Sequence, residues 1–432
     1  MSSLELLLLF LAPIVLLALF LSLFRNPKLF FLILFASKPF IDQSVRVKLT
    51  RVSGEDINLL ALIGVMVFGA VALFNLIKKN TGEKIAARGV IILFLLLQFF
   101  VGAYSYLNDS RGLLSALEVF IRMSTPFFLY FIAHQFLKDR HFQFQLVRVI
   151  WLSHMLASLM SLVVYALNWG YADISQEVQR FSGFYADSAT LSLVAFTGLV
   201  FGLLFREMYR ERLTGFYRSC FLATLFSFLL LTWITLTKAT LLIAVVLGVL
   251  WFGFYRRRMK LVIALLLIVV PLLFTTEAVQ KRFKREIAFL ESYTEKSTSI
   301  TDFRGLGSGR FGRWLDNYDL FVNKYSEWEQ LFGTNLFFHT HNQYLATLLQ
   351  VGLVGLVLFL LILWKLYRAM LLKFRRSRDP FIFMAIVFLT SLVLYGFGYL
   401  SFTYTGIMWI TMILVSRVNV TDTDRAEAVA YG

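Results

Sequence analysis

The sequence is poor in the residues that keep a chain in water. Only 16% of its 432 residues are charged, and a single cysteine, Cys220, is present. One thiol in an apolar run excludes an internal disulfide. The chain has no internal repeat, no low-complexity tract and no Gly-rich phosphate loop, so nothing points to a nucleotide site. The first apolar run, Leu4 to Phe24, contains Pro13 and lacks both a basic leading segment and a small-residue cleavage site. It reads as a retained helix and not as a removed signal. What is abundant is apolar: 59% of residues are hydrophobic, 46 of them Phe, with a mean hydropathy of +0.73. They fall in runs near the ~20 residues that cross a bilayer. An all-α polytopic membrane protein is expected, and a soluble fold is excluded.

The formal charge of +16 would suggest a nucleic-acid partner, were it not for where the charges lie. Lys78, Lys79, Lys84 and Arg88 form one group, and Lys138, Arg140 and Arg148 the next. Arg206, Arg210, Arg212 and Arg218 follow, then Arg256, Arg257, Arg258 and Lys260, and finally Lys365 through Arg368, Lys373, Arg375 and Arg376 to Arg378. The groups recur after every second apolar run, the pattern of short basic loops held in the cytoplasm. The charge is a topology signal, and no nucleic acid is expected. Spans are predicted near residues 4–24, 58–77, 89–107, 112–137, 149–167, 188–205, 219–236, 239–255, 261–275, 343–364, 381–398 and 403–416. The run from Cys220 to Tyr255 is too long for one helix, so Thr237 and Lys238 mark a tight reversal. Leu29 to Phe40 is shorter than a span. If it is re-entrant, as its length favours, there are about 12 transmembrane helices, the preferred count; if it crosses, as Arg25 and Lys28 favour, there are 13. The chain then divides into N-terminal transmembrane helices (1–275), one large outer loop (276–342), C-terminal transmembrane helices (343–417) and a polar cytoplasmic tail (418–432).

Both counts give the same outer face downstream of Asp42, and it carries Arg180, Lys238, Arg310 and His341. Cations at span ends are costly beside lipid unless they meet an anion or water. A diphosphate is the anion that fits: guanidinium groups grip phosphate oxygens in pairs, a lysine adds a point charge, and a helix N-terminus adds free N–H donors. His341 precedes the helix expected from Tyr344, where the dipole disfavours its protonated form and suits a neutral general base. Each residue has a bland alternative. Arg180 could snorkel to the interface, Arg310 could balance Asp316 and Asp319, and His341 alone would be uninformative. Phe311, Leu315 and Tyr318 predict an apolar helix face behind Arg310. His339 and His341 could chelate a metal together, but the outer face has no further His or Cys, and its acids, such as Asp42, Asp187, Asp302 and Asp316, are scattered. Metal-free, cofactor-free chemistry is expected. Glu118 and Arg122, one turn apart, read as an internal pair. Thr276 to Tyr293 reads as an amphipathic helix lying either on the membrane surface or against the protein.

These residues resemble a known family. His341-Asn342, nine residues, Gly352, two residues and Gly355 is similar to the signature of the O-antigen ligase and Wzy polymerase superfamily. Gly-Ser-Gly-Arg310 with Trp314, and the Arg180-Phe-Ser-Gly stretch, also look like family motifs. The resemblance is detailed over residues 307–360 and rests elsewhere on span count and loop position. Thr237-Lys238 stands where many members have Ser-Arg, and Gln350 where a Glu is frequent. The resemblance implies a GT-C-like fold and an inverting, metal-independent glycosyltransferase of the bacterial inner membrane with a periplasmic active site. The implied donor is a glycan on undecaprenyl diphosphate. The implied acceptor is lipid A core, for a ligase, or a lipid-linked glycan, for an O-antigen or exopolysaccharide polymerase. His341 would be the base, with Arg180, Lys238 and Arg310 binding the diphosphate and Asn342, His339 and Trp314 supporting. The rival class is a flippase of lipid-linked oligosaccharides, whose folds usually carry repeats and midplane sites; here the polar residues gather in one outer loop.

Overall fold

The structure is a computed structural model and describes residues 22, 24–43, 48–52, 55–77, 85–108, 113–175, 178–212, 214–277, 279–281, 283–284, 288, 304, 306–335, 340–400, 402 and 405–420. The predicted first span, the Glu118 side chain, Asp302, His339 and residues 421–432 lie outside them. The elements in order are α1 (Pro27–Ile41), a hairpin of β1 (Lys48–Val52) and β2 (Glu55–Asn58), α2 (Leu59–Ile77), α3 (Arg88–Asn108), α4 (Leu113–Phe136) and α5 (Arg140–Ala166). A second antiparallel hairpin, β3 (Tyr171–Ser175) with β4 (Val178–Gly183), leads to α6 (Ser188–Met208), α7 (Gly215–Thr235), α8 (Lys238–Gly248, running on as a π-turn to Tyr255) and α9 (Met259–Phe274). Then come α10 (Leu306–Asp319), α11 (Glu327–Phe332), α12 (Gln343–Ser377), α13 (Pro380–Tyr395) and α14 (Thr405–Ser416). Among the described residues, six helices are long and apolar enough to cross a membrane. The chain is an α-helical membrane protein, with two short hairpins that composition did not announce.

The bundle is built around α6, in which every residue from Ser188 to Phe205 is buried. Its sequence explains this: small and hydroxyl side chains let neighbouring helices approach, and the hydroxyls bond across the gap. A Cβ on Gly202 would lie 2.9 Å from Trp151 Nε1, and one on Gly198 3.4 Å from His154 Cβ. Ser192 Oγ meets Thr235 Oγ1 at 2.7 Å, and Trp151 Nε1 donates to Thr224 Oγ1 at 2.9 Å.

Residues 29–40, for which the sequence left a re-entrant and a crossing reading, lie in one continuous helix, α1. At its start Lys28 pairs with Asp139, the N-cap of α5, at 2.5 Å. In its middle the Phe35 carbonyl accepts from Ser153 Oγ at 3.3 Å. At its end the Pro39 carbonyl accepts from Tyr185 Oη at 2.9 Å, in the segment that links the second hairpin to α6. The segment is therefore one helix lying along the first half of α5, and its 15 residues reach about 22 Å.

At the end holding Lys28 the chain closes in a polar clasp. Arg417 pairs with Asp379 at 3.2 Å and donates to the Leu137 carbonyl at 3.2 Å. Lys373 Nζ donates to the carbonyls of Arg417, Val418 and Val420. The tail predicted from residue 418 thus begins packed, and Asn419 Oδ1 accepts from Ala86 N at 2.9 Å.

Candidate functional site

The opposite end gathers the candidate residues. Hairpin β3–β4 carries Arg180, which stands across from Asp173 in the register. Strand alternation turns Arg180 away from its neighbour Phe181, which is buried against the Tyr165 ring at 5.1 Å. Arg180 was expected at a span end, and it stands instead on a hairpin strand that precedes α6. The signal missed was the alternation in Tyr171–Ser175 and Val178–Gly183 around a short connection.

Arg310 enters from α10. The predicted turn at Gly307 to Arg310 is instead part of that helix, with Gly309 at φ +79 near its start. The predicted apolar face is not the packed one, since Phe311 is 37% and Tyr318 58% exposed. Arg310 is turned inward, to where a Cβ on Gly398 would lie 3.0 Å from its Nη1. It is not neutralised as the bland reading required. Asp316 pairs with Arg304 at 3.1 Å and Asp319 accepts from Asn323 at 2.7 Å, while Arg310 has no hydrogen bond or ion pair with any described residue. Burial holds its guanidinium below the usual arginine range, and the charge of Arg180 nearby adds to this. Trp314, one turn on, stacks on Phe311 at 4.6 Å and has a buried Nε1 without a partner.

Three residues outside the expected set complete this end. Asp187 caps α6, with Oδ1 accepting from Thr190 N at 2.7 Å and Oδ2 accepting from Tyr399 Oη at 2.8 Å. Burial and the Asp187 charge push the Tyr399 hydroxyl well above the ordinary phenol range. Tyr395 packs its ring on Tyr399 at 5.3 Å. An Asp just before an apolar run is a readable cap signal; two tyrosines in Tyr395-Gly-Phe-Gly-Tyr399 offer none. Arg180 and Arg310 act on one another, both oxygens of Asp187 are already engaged, and Arg180 Nε is buried without a partner among the described residues. Two positive charges so placed would attract an anion.

Asp42, by contrast, is committed to a buried ion pair with Lys38, whose Nζ lies 5.1 Å from the Trp409 ring centroid.

His341 flanks the same turn. Gln343 N donates to the Gly396 carbonyl at 2.8 Å and Gln343 Oε1 accepts from Phe402 N at 3.0 Å, so the start of α12 is locked to residues 396–402. His341 has φ 51, a left-handed backbone held between Thr340 and Asn342: Asn342 N donates to Thr340 Oγ1 at 3.0 Å, and Thr340 Oγ1 donates to the Asn342 carbonyl at 2.7 Å. Asn342 caps α12 by accepting from Tyr344 N and Leu345 N.

Lys238 opens α8 after the N-cap Thr237 and Leu236, which takes the left-handed conformation of the predicted reversal. Its Nζ lies 4.8 Å from the Phe283 ring centroid, and Phe283 packs on Leu236 and Val279. The amphipathic segment is therefore docked on the protein at this point. Lys238 stays near Asp187 through Thr237, which accepts from Ser192 Oγ at 3.4 Å one turn along α6, but it is not among the charges acting on Arg310.

Gly352 and Gly355 were expected to bring helices together. Gly352 instead breaks α12, with φ 67 and ψ −171. Thr334 N and Asn335 N donate to the freed carbonyls of Leu349 and Gln350 at 3.2 and 2.8 Å. A Cβ on Gly352 would lie 2.2 Å from the Leu331 carbonyl oxygen, and one on Gly333 2.3 Å from that of Gln350.

Comparison with known families finds no family model that matches the chain, and comparison with curated proteins finds no match.

Proposed function

We propose that the protein is an inverting glycosyltransferase of the bacterial inner membrane that moves a glycan from undecaprenyl diphosphate to an acceptor sugar at the periplasmic surface. The observation that carries the reading is the pair of half-buried guanidinium groups of Arg180 and Arg310, neither in an ion pair with any described residue, beside the turn that His341 flanks. In the proposed reaction His341 takes the proton of the acceptor hydroxyl as that oxygen attacks the anomeric carbon. The bond from that carbon to the diphosphate breaks, and Arg180 and Arg310 receive the charge that develops on the leaving group. Lys238 adds a point charge from the α7–α8 reversal. Asn342 holds the helix end, and the strained backbone at His341 is the kind of outlier that surrounding structure keeps for function. The basic groups at the clasp end support a cytoplasmic placement there and a periplasmic site.

The test is reconstitution of the purified protein with a lipid-linked glycan and an acceptor glycan. Transfer that depends on Arg310 and His341, in the absence of lipid flipping, is expected; flipping without transfer would replace the reading with a transporter.

A further inference from the structure

We propose that the Tyr395 hydroxyl is a third donor to the diphosphate gripped by Arg180 and Arg310. This rests on reading that end of the bundle as a diphosphate site. Tyr395 is 1% exposed, and its hydroxyl has no hydrogen-bond partner among the described residues. Burying a hydroxyl unpaired is costly, and one that lies beside two cations is placed to donate to the anion they would hold.

The position supports this. The Tyr395 carbonyl accepts from Gly398 N at 3.0 Å, and Gly398 is the residue against which Arg310 Nη1 lies. The Tyr395 ring meets that of Tyr399, whose hydroxyl reaches Asp187 at 2.8 Å. Asp187, Arg310 and Arg180 are the charged groups that act on Tyr395. The two tyrosines, one turn apart, therefore divide the work. Tyr399 spends its proton on Asp187 and ties the 396–399 turn to the cap of α6, whereas Tyr395 keeps its proton free.

A phenol adds to the arginines a donor without charge. Paired guanidinium contacts leave lone pairs on a diphosphate unfilled, and a neutral O–H can fill one without adding to the repulsion between Arg180 and Arg310. The ligand chemistry is a diphosphate, either free or at the head of a polyprenyl lipid.

The test uses the purified full-length protein, with inorganic diphosphate and farnesyl diphosphate as probes, read by calorimetric titration and by thermal unfolding. Tyr395→Phe removes no bond present in the free protein, so its unfolding midpoint without probe should be unchanged or raised, while affinity falls about tenfold. Tyr399→Phe breaks the Asp187 bond and should lower the midpoint without probe. Loss of affinity for both probes supports the inference for the diphosphate itself; loss for farnesyl diphosphate alone supports it with the anion read at the head of a lipid. If Tyr395→Phe binds both probes as wild type while Arg310→Ala binds them weakly, the role of Tyr395 falls and the diphosphate site stands. If Arg180→Ala and Arg310→Ala both bind as wild type, the site falls and Tyr395 with it. A lowered midpoint in unliganded Tyr395→Phe would assign its hydroxyl a structural bond and overturn the inference.

Discussion

At the residue scale, the proposed chemistry divides between His341 as base and two cations, Arg180 and Arg310, that have no ion pair among the described residues. His341→Ala should abolish most turnover, roughly 10²- to 10⁴-fold, and leave donor binding intact, because the imidazole acts on the acceptor. Arg310→Ala should cost a similar factor and weaken donor binding as well, since the guanidinium holds the diphosphate before and during reaction. Arg310→Lys should recover only part of it, because the paired contact is lost. Turnover and donor binding measured side by side on membranes of equal protein content decide this; unimpaired turnover in His341→Ala would reduce that residue to packing. Asp187→Asn isolates a different effect. It keeps a capping oxygen for Thr190 but removes the charge beside Arg310 and weakens the Tyr399 bond. A stability loss of about 1–2 kcal/mol, read from thermal unfolding, is expected.

At the element scale, glycines separate into those that carry a close approach and those that do not. Gly352→Ala meets both an unfavourable φ and the Leu331 carbonyl 2.2 Å away, so it should expel segment 331–335 from the α12 break. Faster proteolysis near Phe332 would show it, and unchanged cleavage would mean the break is not held by that backbone. Gly89 lies inside α3, and a Cβ there would meet nothing within 4 Å. Gly89→Ala should therefore be neutral or stabilising by about 0.5–1 kcal/mol. The start of α12 and the reversal at Thr237-Lys238 were both legible in the sequence, because apolar run length and hydropathy decide them; its end was not, since the helix runs past the expected residue 364 through a basic stretch to Ser377. The break was not, since a glycine that opens a helix and one that lets helices touch look alike until the opposing backbone is known.

At the scale of the whole molecule, the proposed orientation rests on the basic groups and is open to reporter fusions. A reporter fused at Ser326 should read as periplasmic and one at Arg257 as cytoplasmic. Reporters after Asn26 and after Gln43 decide between the two readings of α1: opposite sides would make it a crossing helix, and the same side a re-entrant one. Chelator should leave glycan transfer unchanged on the proposed mechanism, and loss restored by a divalent cation would recast His341 as a ligand.

The sequence by itself determined the membrane class, the helix order and where most helices start and stop. These follow from local quantities: apolar run length, caps such as Asp139, Asp187 and Asn342, and the positions of lysine and arginine. It also singled out Arg180 and Arg310 as cations out of place. Only the tertiary structure decided that those two share a neighbourhood while Lys238 lies over Phe283, that Asp187, Tyr395 and Tyr399 belong with them, and that Asp316 is taken by Arg304. The reason is that charge compensation depends on distance through space. Residues 180, 187, 310 and 399 come from four separate segments and act on one another only once those segments pack together, a property that no single segment contains.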